Sequence, residues 1–257
     1  MIQELWKEEL AGSGFGASSL RVYDSTSGLA PGQSERPFLV VWLHGMHQGP
    51  THEADLAKMQ RRLWRRVIYL VPTSPAPSED GLHFSWGCAF TKAQNRQDMG
   101  YVNGTLHQPF LAALTAKVNE VADYFDAERV IAMGYSMGGF GALQLGSFAP
   151  EAYDAVISVA GYGMGTTEST ERCGAPQPKA RQVFEWFLEH AVAQLVDVPI
   201  VLCIHAPNDT MSSFNDVSEI ISKVEMTARW HGKWTAAKLV EVPDELANSD
   251  YPKRRKK

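Results

Sequence analysis

Cysteine is scarce in this chain of 257 residues. There are three, Cys88, Cys173 and Cys203. The odd count, the wide spacing and the lack of a CxxC pair argue against a disulfide framework or a zinc site and favour unpaired, mostly buried thiols. Long apolar runs are also missing. None approaches the roughly 20 residues that a membrane-spanning helix needs, so no membrane span is expected. The acidic start, MIQELWKEEL, lacks the apolar stretch of a secretory leader, so the chain reads as cytoplasmic. No GxxxxGK[ST] phosphate loop, HExxH or paired-histidine spacing occurs, and neither metal nor other cofactor is expected.

Positive charge is in deficit. The chain has 24 basic residues against 29 acidic, and five of the 24 form the terminal run Lys253, Arg254, Arg255, Lys256 and Lys257. Without that run, 19 basic residues face 29 acidic ones. A body this acidic repels nucleic acid, which is not expected as a partner. The run itself reads as a solvated, disordered tail, with a weak match to a nuclear address. The remainder, residues 1–252, is of a size and composition (44% hydrophobic, 21% charged) that suit one folded domain with a sizeable core.

No repeat or low-complexity block is present. Short strands are expected near Leu20–Tyr23, at Phe38–Leu43 (FLVVWL), Val67–Val71, Val130–Met133, Ala155–Ala160, Pro199–Ile204 and Lys238–Val242. Continuous apolar runs of this kind suit strands buried on both faces. Helical periodicity falls at 54–64, 105–126, 137–148, 180–195 and 213–227. From Thr73 to about Gly104 the sequence reads as one long loop. Strands alternating with helices mean βαβ units and a mostly parallel sheet with helices on both faces, an α/β fold.

One motif carries chemistry. Gly134-Tyr135-Ser136-Met137-Gly138 fits G-x-S-x-G. It follows the strand RVIAM and opens the helix from 137, so Ser136 is expected on a tight strand-to-helix turn, as a nucleophile elbow requires. Gly134 and Gly138 suit a turn in which a Cβ would crowd neighbouring backbone. The helix N-terminus turns its N–H groups toward developing negative charge. A tetrahedral intermediate needs two backbone donors. One is expected from Met137, the residue after the serine. The other is expected from Met46 in the Leu43-His44-Gly45-Met46 turn, with His44 holding that turn.

On these residues the chain resembles an α/β-hydrolase, most of all the esterase branch that includes feruloyl esterases, carboxylesterases and polyhydroxybutyrate-depolymerase-like proteins. The resemblance covers about residues 38–210. It rests on LHGMHQGP, RQDMGYV (96–102), DAERVIAMGYSMGGFGAL (126–143), PEAYDAVISVAGY (150–162) and VLCIHAPNDT (201–210). It implies a carboxylic-ester hydrolase that works through an acyl-enzyme on Ser136 and takes a small-molecule ester. The triad order Ser, acid, His places the acid in the loop after PIVLCIHA, at Asp209, with Asp216 as the alternative. A turn that caps the following helix would also use an Asp at 209.

The family's histidine follows the last strand. Here PDELANSDYPKRRKK follows it and holds no histidine, so the chain reads as a C-terminally truncated hydrolase. Of eight histidines only His231 lies beyond Asp209, and it precedes the last strand, at the opposite sheet edge. His205 is on the correct edge but on a strand not expected beside that of Ser136. His44, His47 and His83 lie on loops at the active-site face, where each reads as a turn or pocket residue, and they are the surrogate bases left open. Phe84 and Trp86, in the long loop, are expected to line an acyl or aryl pocket or to pack under that loop. A catalytically inert member of the same fold, binding a small apolar ligand or a protein, is the competing reading. Oligomeric state is not legible.

Overall fold

The computed structural model describes residues 2–10, 19–25, 36–45, 53–60, 65–73, 76–77, 84–85, 108–161, 177–209 and 212–243. Eight strands form one sheet: β1 (Ile2–Glu9), β2 (Ser19–Ser25), β3 (Phe38–Leu43), β4 (Val67–Pro72), β7 (Arg129–Tyr135), β8 (Ala155–Val159), β9 (Ile200–His205) and β10 (Ala236–Glu241). A separate antiparallel pair is made by β5 (Ala76–Pro77) and β6 (Phe84–Ser85). The spatial order is β1-β2-β4-β3-β7-β8-β9-β10. β1 and β2 pair antiparallel, as do β2 and β4, and every later neighbour is parallel. The helices are α1 (Glu53–Gln60), α2 (Gln108–Tyr124), α3 (Met137–Phe148), α4 (Gln177–His190) and α5 (Phe214–Trp230).

β3 and β4 are continuous apolar runs because both faces are covered, and alternation sorts their residues onto the two sides. Leu39, Val41 and Leu43 of β3 join Ile68 and Leu70 of β4 in a core with α2, α3, α4 and α5. Val40 packs on the opposite face with Val67, Tyr69 and Val71, under Leu56 of α1. A parallel sheet sandwiched between helices places the carboxyl ends of β3, β7, β8 and β9 along one edge, where the connecting turns are free to carry chemistry.

The expected central elements coincide with the observed ones to within a few residues, and of four differences three have physical causes. β1 was not read as a strand. It is an edge strand with a bulge between Glu4 and Trp6, and its burial alternates weakly (Ile2, Trp6) through a charged segment. Residues 73–104, expected as one loop, hold the short pair β5 and β6, two residues each, too brief for any periodicity. The helix expected to reach 195 ends at His190, and a 3-10 turn covers Val192–Asp197. Pro199 holds the residue before it extended (Val198 φ −85°, ψ 126°), which no helix passes through. The last helix extends to Trp230, three residues beyond its expected end. No described helix is long and apolar enough to cross a membrane. The terminal run 253–257 lies outside the described residues.

Candidate active site

Ser136 sits between β7 and α3 with φ 57° and ψ −122°. This is a left-side conformation that side chains other than glycine rarely adopt, and holding it costs free energy that the surroundings must supply. Those surroundings are specific. The Ser136 N–H donates to Val159 O at 2.8 Å, and its carbonyl accepts from the N–H groups of Gly139 (2.9 Å) and Phe140 (3.3 Å). A serine at a helix start ordinarily spends its hydroxyl on capping, but Ser136 makes no side-chain cap.

Glycine is required on both sides of it. A Cβ on Gly134 would stand 2.1 Å from Gly138 O, and one on Gly138 would stand 2.0 Å from Leu43 O and 2.6 Å from His44 O. These are backbone atoms and have no room to give. The first turn of α3 is thus pressed against the end of β3 at Leu43 and His44. Met137 is fully buried at the first position of α3, whose first turn carries no acidic residue to offset its N-terminal partial charge.

His44 is fully buried. Its Nδ1 lies 2.8 Å from Gly45 O, and because a carbonyl only accepts, Nδ1 carries the proton there. Burial pushes its pKa below the ordinary histidine value, opposed by that hydrogen bond.

Asp209 lies past the end of β9, on the same sheet edge. Its Oδ1 accepts from Ser212 N at 3.3 Å, and its Oδ2 is 3.7 Å from His205 Nε2. The His205 Nε2–H donates to Ser212 O at 3.3 Å. The His205 Nδ1 is buried without a hydrogen-bond partner among the described residues. Asp216, the alternative acid, is instead buried in the first turn of α5, where its N–H donates to Ser213 Oγ. The helix cap is therefore Ser213.

Tyr135, Val159 and Ile204 stand in register across β7, β8 and β9. The backbones of Ser136 and His205, each one residue further, are two strand spacings apart, about 10 Å. β8 intervenes, as expected. His231 follows α5 and precedes β10, at the far edge of the sheet. Met46, His47, His83, Trp86, Cys88 and Cys173 lie outside the described residues, and of Phe84 only its place in β6 is described. Cys203 is buried and unpaired, its thiol pushed up to about 12 by burial. Ser212 was not singled out in the sequence. Only its complete burial and its partners 51 and 7 residues away mark it.

Comparison with known proteins places this geometry. A family model named Esterase, described as "Putative esterase", matches residues 33–247. Among curated proteins none matches the sequence. The carboxylesterase of Bacillus cereus is similar in structure (TM-score 0.54, 15% identity, 88% of this chain and 85% of that one). So is Est1E of Butyrivibrio proteoclasticus, solved with ferulic acid bound (TM-score 0.55, 12% identity, 92% and 89%). Oligopeptidase B of Trypanosoma brucei matches 95% of this chain but only 33% of its own (TM-score 0.56, 12% identity). At these identities the structural likeness concerns the fold, which is that of the α/β-hydrolases. With the family match spanning most of its length, the chain belongs to the esterase family.

Proposed function

We propose that this chain is a serine hydrolase of small-molecule carboxylic esters in which Ser136 is the nucleophile. The observation that carries the reading is the backbone of Ser136: a positive φ at a G-x-S-x-G turn, on the sheet edge where β3, β7 and β9 also end. The Ser136 Oγ attacks the acyl carbon, and the carbonyl electrons move to the oxygen. The Met137 and Met46 amides bind that oxyanion. Collapse expels the alkoxide, which leaves as the alcohol with the proton given up by Ser136 Oγ, and water then hydrolyses the acyl-enzyme, releasing the acid and returning a proton to Oγ. Asp209 is the acid that orients and stabilises a base. The chemistry requires no cofactor.

The base is the weak link. Beyond Asp209 the sequence offers only His231, and the far edge of the sheet is out of proton-transfer reach. Loss of a triad member removes about 10⁴ to 10⁶ of kcat, while an oxyanion hole alone retains about 10³ over water. Slow, Ser136-dependent turnover is therefore expected. A second reading is a non-catalytic hydrolase fold that binds a small apolar ligand or a protein partner.

The test is hydrolysis of a short p-nitrophenyl ester by the purified chain beside Ser136→Ala. Turnover lost in the variant supports the nucleophile and turns attention to His44, His47 and His83 as surrogates. Equal rates, with no labelling of Ser136 by a fluorophosphonate, favour the binding reading.

A further inference from the structure

We propose that Ser212 is a positioning residue that ties the loop carrying Asp209 to the turn behind Ser136. The inference rests on the roles given to Ser136 and Asp209 above. Ser212 is fully buried, and all of its polar groups are engaged in one small region. Its N–H donates to Asp209 Oδ1 at 3.3 Å. Its carbonyl accepts from His205 Nε2 at 3.3 Å. Its hydroxyl donates to Gly161 O at 2.9 Å. Buried polar groups of this kind persist where their partners are fixed, since an orphaned one is costly.

Gly161 is itself locked to the nucleophile's turn. A Cβ there would lie 3.2 Å from Gly139 C and 3.3 Å from Phe140 N, so its backbone seats directly on the first turn of α3. Ala160, just before it, is held at φ 46°, with its N–H donating to Ile204 O at 2.8 Å. Val159 O in turn accepts from Ser136 N at 2.8 Å. The path from the nucleophile to the acid thus runs Ser136, Val159, Gly161, Ser212, Asp209, and Ser212 bridges the two loops. His205, buried beneath it, holds the bridge from the β9 side.

A carboxylate in a triad acts only from a fixed position, and a displacement of about 1 Å costs on the order of 100-fold. Where a surrogate base engages Asp209, Ser212→Ala is expected to lower kcat roughly 10- to 100-fold with KM within about twofold, and where none does, hydrogen exchange decides. Added to Asp209→Asn it should lower kcat no further, because it acts through Asp209. A merely structural role would multiply the two losses. Hydrogen exchange gives a readout independent of turnover. In Ser212→Ala, amides of the peptide 204–213 should exchange at least about tenfold faster while those of β3 and β4 stay unchanged. Should Ser212→Ala fail to fold, Ser212→Cys carries the same comparison, being nearly isosteric with a weaker donor.

Unchanged exchange, or a full multiplicative loss in the double variant, overturns the proposal. If wild type and Ser136→Ala hydrolyse alike, the reading of Ser136 falls, and the exchange measurement alone decides the tether.

Discussion

At the scale of single residues, Ser136 holds a conformation that suits glycine better than serine. Backbone held there costs on the order of 1 to 3 kcal/mol, whereas glycine loses roughly 0.5 to 1 kcal/mol through its freer unfolded chain. Both Ser136→Gly and Ser136→Ala delete the hydroxyl, but only glycine relieves the backbone. Ser136→Gly is expected to melt about 2 to 4 °C above Ser136→Ala, by calorimetry. Equal midpoints would mean that the turn is not strained. The motif made the serine legible because glycines at fixed offsets are a local requirement. Ser212 was illegible because its partners are distant in sequence, and a lone serine in APNDTMSSF carries no pattern.

At the scale of elements, the end of β3 and the start of α3 form one packed unit, and His44 is sealed inside it. Its native pKa lies below the unfolded value near 6.5. The unfolded chain therefore binds more protons below about pH 6.5, and stability falls as pH drops from there toward the native pKa, below which the loss levels off. Urea midpoints at about pH 7.5 and about pH 5.5 should differ less for His44→Gln than for the wild type. A difference unchanged by the substitution would assign the effect to other groups. Elements with strong apolar runs, such as FLVVWL, were legible because burial on both faces admits nothing else. β1 was not, because an edge strand half open to water needs few apolar residues.

For the molecule as a whole, β1 closes the sheet against β2. Trp6 stacks on Phe125 (centroids 5.8 Å) and meets Tyr124 edge-on, so the first strand is fastened to the end of α2. Deleting residues 2–9 removes that contact and bares the hydrogen-bonding edge of β2. The expected outcome is a loss of at least about 2 kcal/mol, the value of one large buried side chain, with a greater tendency to associate through the open edge. Urea denaturation and light scattering check both. A deletion that leaves both unchanged would make β1 an ornament of the sheet.

The sequence by itself determined the parallel core, the serine with its flanking glycines and the candidate acid's place after β9, since each is written in local pattern or order along the chain. Tertiary structure decided what depends on spacing across strands. β8 stands between β7 and β9, so His205 is kept some 10 Å from Ser136 at the backbone and faces Asp209. Asp216 is buried in the first turn of α5, where Ser213 caps the helix. Ser212 joins two loops that the chain separates by 51 residues. Hydrogen bonds between distant turns follow from how strands stack side by side, and no periodicity along one strand records its neighbours.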